Sequence, residues 1–291
     1  MKINLNNLKK VKIESVFLLS VVFLVFSLIY FLVFIFDFQT DWANYQESYK
    51  DISSRMAKTD QEKELINQFE VNIKQIHIKE LNKTDRCISC HVSIDEEKFK
   101  NIKQPLTSHP GEYLKNHPIE KFGCTICHGG LGMATTTESA HGAAEEEGSL
   151  YPMLGGVFIQ SSCGKCHAEN SYKETSVIGK GKRLFDLYGC NVCHKLYKSG
   201  GTAGPDLTKI GAKKYYDVSW GSEYHGDKNI SEWLVNHFEN PSYYYESKMM
   251  DFKMNNENAT ALAVYMLSLV PEEIPTEYVV KKKENISEVI K

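Results

Sequence analysis

One pattern, CxxCH, occurs four times in this chain: Cys87-Ile88-Ser89-Cys90-His91, Cys124-Thr125-Ile126-Cys127-His128, Cys163-Gly164-Lys165-Cys166-His167 and Cys190-Asn191-Val192-Cys193-His194. The pattern is the attachment signature of a c-type haem. The two thiols form thioether bonds to the porphyrin, and the histidine is the proximal ligand of the iron. We therefore expect four covalently bound haem c groups, with His91, His128, His167 and His194 as proximal ligands.

A structural zinc site is the alternative interpretation of a CxxC pair. Zinc sites combine two CxxC knuckles for each metal ion and need no histidine after every knuckle. The chain has eight cysteines, and the four motifs use all of them. This leaves no cysteine for a disulfide, a separate zinc site or a catalytic thiol, and it favours haem.

An uncharged apolar run covers residues 15–36, near the start of the chain. It is long enough to span a membrane as a helix. Lys2, Lys9, Lys10 and Lys12 precede it, whereas Asp37 and Asp41 follow it. By the positive-inside rule, the N-terminus is in the cytoplasm and the haem domains are on the periplasmic side of the inner membrane. A cleaved signal peptide is the alternative, but its apolar region is shorter and precedes a small-residue cleavage site.

Composition and periodicity predict a mainly α-helical protein with much irregular loop. The net charge of −3 gives no sign of a nucleic-acid-binding surface. We expect five parts: residues 1–41 as cytoplasmic N-terminus and transmembrane anchor, 42–85 as stalk helix and linker, 86–171 as a loop-rich trihaem module, 172–270 as a monohaem domain, and 271–291 as an exposed tail. The stalk helix is indicated by Trp42, Tyr45, Tyr49, Ile52 and Met56, which recur at helical spacing.

Six further histidines are candidates for the second axial position of an iron. His109 and His117 each precede a proline, which favours extended backbone and displays the imidazole. His141 follows the second motif by 13 residues. Three histidines are thus available for the three haems of this segment, and we expect them to be the distal ligands. His77 has the pattern of an ordinary strand residue, and we expect His225 and His237 to be exposed.

The C-terminal part resembles class I cytochrome c. The resemblance is carried by a predicted helix at about 179–188 that runs into Gly189-Cys190, by Gly204-Pro205-Asp206-Leu207, by a helix with Trp233 and Leu234, and by Ser247-Lys248-Met249-Met250-Asp251-Phe252 before a final helix with Ala261, Leu262, Val264, Tyr265, Met266 and Leu269. It implies that the Pro205 carbonyl accepts the ring N–H of His194. The family has Met-Pro-x-Phe before its final helix, with methionine as distal ligand. We expect Met249 in that role, with Met250 and Met254 as alternatives.

The preceding part resembles the multihaem region of membrane-anchored cytochromes c that accompany bacterial cytochrome b/Rieske-type quinol-oxidising complexes. The matching stretches are Asp85-Arg86-Cys87 to His91, His109-Pro110, Tyr113-Leu114-Lys115, His117-Pro118, Glu120 to Gly130, and Ala140-His141-Gly142. The resemblance implies that His109, His117 and His141 are ligands. It also implies partners: a quinol-oxidising membrane complex as donor, and a soluble cytochrome or terminal oxidase as acceptor.

Filled axial positions favour electron transfer over catalysis, because an iron with two protein ligands has no open position for a substrate. A reductase for a nitrogen oxide or a peroxide is the main alternative, and it requires one open haem. An assembly or sensor subunit with structural haems is a third. Histidine–methionine ligation raises the reduction potential relative to bis-histidine ligation. We therefore expect electrons to enter the trihaem module and to leave through the C-terminal haem.

Overall fold

The computed structural model describes residues 5–37, 40–142, 151–167, 176–222, 224, 228–270 and 274–279. Contacts divide the chain into two compact units, residues 1–72 and residues 73–291. Most of the described chain is helical, with long loops, as the sequence predicts. His225 lies outside the described residues, as does most of the predicted tail. The boundary expected at residue 171/172 lies in the gap at 168–175 and stays a prediction.

The first unit contains three helices. They are α1 (Leu5–Asp37), α2 (Asp41–Met56) and α3 (Asp60–Asn67). Within α1, Ser15–Phe34 has a mean hydropathy of 2.9 and is not buried in the fold. By length and composition, it is a helix that could cross a membrane or serve as a signal sequence. The stalk helix predicted after it corresponds to α2, where Tyr49 packs against Phe69 with ring centroids 5.1 Å apart.

The second unit begins with a region of short elements. Strands β1 (Ile76–Ile78) and β2 (Lys83–Asp85) pair antiparallel, with His77 opposite Thr84. Short helices follow: the 3₁₀ turns Cys87–Ser89 and Glu97–Phe99, then α4 (Tyr113–Asn116), α5 (Ile119–Phe122), α6 (Thr125–His128), α7 (Thr137–Ala140) and the 3₁₀ segment Gly156–Lys165. Each helix of four residues is too short to bury an apolar face of its own. This part of the chain is the loop-rich region that the sequence predicts.

The C-terminal part has the larger apolar core. Its elements are α8 (Val177–Leu187), α9 (Cys190–Cys193), β3 (Lys195–Leu196) paired with β4 (Ser199–Gly200), the 3₁₀ turns Ile210–Ala212 and Tyr215–Asp217, α10 (Ile230–Glu239) and α11 (Asn256–Ser268). Helix α11 is buried over nearly its whole surface and packs against α8 and α10. Its close approach to α8 requires Gly181, because a Cβ there would overlap the carbonyl of Ala261. The helix predicted at about 179–188, the helix predicted to contain Trp233 and Leu234, and the final helix are confirmed.

The 3₁₀ segment Gly156–Lys165 lies between this core and helix α6. Phe158 packs against the core, and the Gln160 side chain accepts a hydrogen bond of 2.9 Å from the backbone N–H of Val177. On its other side, the Ser162 hydroxyl donates to the carbonyl of Cys127 at 2.8 Å, and the Lys165 ammonium donates to that of Ile126 at 3.1 Å. The segment therefore connects the second CxxCH motif to the C-terminal core.

One residue near the C-terminus departs from the expected exposed tail. Tyr278 is only 6% exposed and meets the ring of Phe122 edge-on, with centroids 5.4 Å apart. Its hydroxyl donates to the carbonyl of Lys121 at 3.2 Å. Aromatic burial anchors this part of the chain, a contact that the charge-rich sequence around it does not indicate.

Candidate haem-binding sites

All four CxxCH motifs form the same turn of helix. In each one, the backbone N–H of the histidine donates to the carbonyl of the first cysteine: His91 to Cys87 at 2.9 Å, His128 to Cys124 at 3.0 Å, His167 to Cys163 at 2.9 Å and His194 to Cys190 at 2.9 Å. Residues three apart in a helical turn are neighbours on one face. The turn therefore presents both thiols on one side, with the histidine next to them. We number the sites 1 to 4 in chain order.

None of the eight cysteines forms a disulfide, so all eight are available for thioether attachment. Among the described residues, no group of three or more His, Cys, Asp or Glu side chains is arranged to hold a metal ion. A zinc site needs four such ligands converging on one point. The described part of the chain therefore gives no support to the zinc alternative.

Each proximal histidine of the first three sites faces one of the predicted distal histidines. The ring centroids are 6.3 Å apart for His91 and His141, 6.1 Å for His128 and His109, and 6.2 Å for His167 and His117. Metal–imidazole bonds are about 2 Å long, so two imidazoles on opposite sides of one metal ion have their centroids roughly 6 Å apart. The three pairs therefore fit a haem iron between their rings.

Hydrogen bonds orient several of these rings for ligation through Nε2. The Nδ1 atom of His109 is 2.9 Å from the carbonyl of Pro110, and that of His117 is 3.2 Å from the carbonyl of Tyr113. A ligating histidine commonly donates its other ring N–H to a carbonyl, which selects the tautomer and fixes the ring. For His128, Nδ1 is buried and has no partner within the described residues.

The electrostatic environment favours the neutral form of the proximal imidazoles at sites 1 to 3. Burial is the main cause that lowers the pKa of His91, His128 and His167, and the facing histidine of each pair lowers it further. Iron binds the neutral imidazole, because a protonated ring has no free lone pair at the ligating nitrogen. The surroundings thus favour the form that a metal requires.

A short helix brings His141 to site 1, although His141 follows the second motif in the chain. Helix α7 begins at Thr137, where the Thr136 side chain caps it by accepting a hydrogen bond from the N–H of Ser139 at 3.3 Å. The chain then returns, with the N–H of Leu131 donating to the carbonyl of Ala140 at 3.0 Å. His141 is consequently beside His91 and not beside His128.

The attachment cysteines of successive sites also lie close together. The thiols of Cys87 and Cys124 interact directly, an interaction that lowers the pKa of Cys87 and raises that of Cys124. Cys127 is within electrostatic reach of Cys163 and Cys166, although burial is the larger cause of its raised pKa. Site 2 is thus adjacent to site 1 through one cysteine and to site 3 through the other.

At site 4, His194 is held as the sequence resemblance implies. Its Nδ1 atom is 2.9 Å from the carbonyl of Pro205. Gly204 lies against the same ring, and a Cβ at that position would overlap the imidazole. The contact orients the ring with Nε2 available for a metal.

The three candidate methionines have different surroundings. Met249 is partly buried and packs against the core, and its N–H donates to the Ser247 hydroxyl at 3.2 Å. Met250 is 70% exposed, whereas Met254 is 6% exposed and part of the core itself. Of the three, only Met249 is neither pointing into solvent nor enclosed by the core. It therefore stays the methionine predicted to be the distal ligand.

The expectation that His237 is exposed is wrong. Its ring stacks on Trp233 at 4.8 Å and on Tyr245 at 6.1 Å, and its Nδ1 atom is buried. Burial, together with the nearby His194, lowers the pKa of His237 to about 4. The sequence contained an indication of this burial: Trp233 and His237 are four residues apart, and side chains at this spacing lie next to each other on one face of a helix. His77, by contrast, is exposed and contacts the Thr84 hydroxyl at 3.0 Å, as an ordinary strand residue would.

Comparison with known proteins gives one match. The family model for cytochrome c matches residues 178–270. Searches of curated proteins and of solved structures return no match. The matched residues include Cys190, Cys193 and His194, so covalently bound haem c is implied at site 4 and a haem-based electron-transfer role is supported. Residues 178–270 of this chain form a C-terminal cytochrome c domain.

Proposed function

We propose that the protein is a membrane-anchored tetrahaem c-type cytochrome that carries electrons from a quinol-oxidising membrane complex to a periplasmic cytochrome or terminal oxidase. The observation that carries the proposal is the set of three histidine pairs with centroids 6.1–6.3 Å apart. Each pair joins a CxxCH histidine to a histidine outside the motifs. Together with His194 and Met249 they supply two ligands for each of four irons.

Two protein ligands for each iron favour electron transfer over catalysis. Haem supplies one-electron redox chemistry when it is bound, and axial ligands decide whether a substrate can reach the iron. The paired imidazoles at sites 1 to 3 would hold the iron from both sides and leave no open position for a substrate. A reductase of nitrogen oxides or peroxides would need one of these positions to be open. The proposed protein is therefore an electron carrier and not an enzyme.

The juxtaposition of the attachment cysteines supports passage of electrons between sites. Cys87 touches Cys124, and Cys127 is close to Cys163 and Cys166. Because each of these cysteines would be bonded to a porphyrin edge, neighbouring cysteines would bring neighbouring haem edges together. We infer the order site 1, site 2, site 3 within the trihaem module, with site 2 in the middle.

The ligand types suggest a direction of flow. Sites 1 to 3 have histidine pairs, and site 4 has histidine with methionine as the proposed second ligand. Methionine ligation raises the reduction potential. Electrons would then enter at sites 1 to 3 and leave from site 4. Potentiometric titration tests this, and a lowest-potential haem in the cytochrome c domain would contradict the direction.

We also propose that α1 anchors the protein with its N-terminus in the cytoplasm. Ser15–Phe34 has the length and hydropathy for a span. The four lysines before the span and the aspartates after it set the proposed orientation. Protease treatment of intact spheroplasts should digest the haem domains while they are still attached to the membrane. A full-length chain that is protected from the protease would refute the orientation.

The spin state of the irons in the purified full chain separates electron carrier from reductase. We expect four haems for each polypeptide, all low-spin in electron paramagnetic resonance and magnetic circular dichroism spectra, with no rapid binding of carbon monoxide or nitrite. One high-spin haem that binds these ligands would support the reductase instead. Fewer than four haems would refute the tetrahaem assignment itself.

The proposed donor requires a separate test. Membrane vesicles that contain a cytochrome b/Rieske-type complex should reduce the purified protein when quinol is added, and a specific inhibitor of the quinol site should prevent this reduction. Reduction that is equally fast in vesicles lacking the complex would exclude it as the donor.

A further inference from the structure

Asp85 is a buried carboxylate between two of the haem-binding motifs. It ends strand β2 and is only 1% exposed. Its Oδ2 atom accepts hydrogen bonds from the backbone N–H groups of Cys124 at 2.5 Å and Thr125 at 2.9 Å. Its Oδ1 atom accepts one from the Thr125 hydroxyl at 2.7 Å. The carboxylate therefore holds the first turn of the site 2 motif, while Asp85 itself is two residues before Cys87 of site 1.

Two glycines make room for this carboxylate. A Cβ at Gly123 would overlap the Oδ2 atom, and a Cβ at Gly132 would overlap the Oδ1 atom. Gly123 also has a φ of +68°, a conformation that favours glycine. The chain thus closes around Asp85 from both sides and excludes water from it.

No cation neutralises the carboxylate within the described part of the chain. The adjacent Arg86 points elsewhere: its guanidinium donates to the Gln75 side chain at 3.0 Å and to the carbonyl of Met133 at 2.8 Å. The charge of Asp85 reaches the attachment thiols of both neighbouring sites: it is a minor cause of the raised pKa of Cys124, and at Cys87 it opposes the larger effect of Cys124, which lowers the pKa. A buried charge is screened by salt and solvent much less than a charge at the surface.

We propose that Asp85 is a positioning residue that lowers the reduction potentials of the haems at sites 1 and 2. This inference rests on the proposed function, because it requires haem at both sites. Reduction adds one electron to an iron and removes one positive charge from it. A fixed negative charge nearby stabilises the oxidised form relative to the reduced form, and burial in a medium of low dielectric strengthens the effect. Asp85 thereby favours these sites as electron donors to the rest of the chain.

The test is Asp85→Asn, with Asp95→Asn as the matched control. Asparagine has the same shape. Its oxygen can accept from both N–H groups, and its amide can donate to the Thr125 hydroxyl, so the hydrogen bonds are kept and only the charge is lost. Asp95 is an exposed aspartate in the same region, where solvent screens its charge. We expect potentiometric titration of the Asp85→Asn full chain to give higher potentials for two of its haems, with the low-spin spectra unchanged. Unmoved potentials, or a shift no larger than in Asp95→Asn, would overturn the proposal.

Thr125→Val provides an independent measurement if Asp85→Asn fails to mature. It keeps the charge and removes one hydrogen bond to it, so the carboxylate is less neutralised and two potentials should fall. A purely structural role for Asp85 predicts no change in potential in this variant, and that result would overturn the proposal. The haem count distinguishes a failure of the proposed function from a failure of the proposed role of Asp85. A wild-type protein with fewer than four haems refutes the proposed function, whereas four haems with unmoved potentials in the variants refute only the role of Asp85.

Discussion

His141 gives the most direct test of the histidine pairing, because it lies 50 residues from its ring partner along the chain. The centroids of His141 and His91 are 6.3 Å apart, which fits one iron between them. Replacing His141 with alanine removes the proposed second ligand of site 1 alone, since the pairs at sites 2 and 3 do not involve it. One iron in four should become five-coordinate and high-spin.

The expected effect is therefore measured as a fraction of the total haem. In His141→Ala, about a quarter of the haem should bind carbon monoxide, because one iron of the proposed four gains an open position. Added imidazole should occupy the space left by the side chain and return this iron to the low-spin state. Carbon monoxide titration against total haem, followed by absorption and electron paramagnetic resonance spectra, measures both effects. His77→Ala is the control, because His77 contacts Thr84 and should leave all irons low-spin.

A triple variant identifies the affected site. Cys87→Ala with Cys90→Ala removes the haem attachment of site 1, and adding His141→Ala to this background should produce no new high-spin haem. A high-spin signal that appears in this background would show that His141 serves another site. Full low-spin character in the single variant would refute the pairing altogether.

Three further predictions concern the cytochrome c domain. Met249→Leu should remove the methionine–iron charge-transfer band and lower the potential of one haem, whereas Met250→Leu should leave the spectrum unchanged, because Met250 is 70% exposed. Gly181→Ala should destabilise the domain by about 1–3 kcal/mol in thermal unfolding, since its Cβ meets the carbonyl of Ala261 on α11; Gly155→Ala, with nothing near its Cβ, should be close to neutral. Burial lowers the pKa of His237 from 6.5 to about 4, so the unfolded chain takes up a proton before the folded domain does, and stability falls as the pH drops from 6.5 towards 4. His237→Phe should lack this part of the decline in urea unfolding measured over that pH range, and an unchanged slope would contradict the assignment.

Much of the fold could be predicted because it depends on local patterns. The apolar run at 15–36 required a helix, since backbone groups in such a segment must satisfy one another. The stalk helix followed from residues recurring at three- or four-residue spacing, and the final helix followed from the resemblance to class I cytochrome c. The burial of Tyr278 could not be predicted, because its partners Lys121 and Phe122 are more than 150 residues away in the chain.

The surroundings of His237 and Asp85 were missed for a related reason. Both residue types are usually exposed, and neither carries a motif of its own. The burial of His237 depends on Trp233 and Tyr245 meeting around it. The burial of Asp85 depends on the site 2 turn, whose N–H groups it accepts from across 39 residues of chain.

The CxxCH motifs by themselves determined where haem can be attached, because attachment needs only two thiols and a histidine within one helical turn. They also account for all eight cysteines of the chain, and the residues around them offered His109, His117 and His141 as candidate further ligands. Tertiary structure alone decided which histidine faces which motif: His141 with site 1, His109 with site 2 and His117 with site 3. Along the chain, His109 and His117 come before His141, yet it is His141 that faces the first motif. The sequence could not show this, because only the folded backbone decides which two imidazoles lie about 6 Å apart.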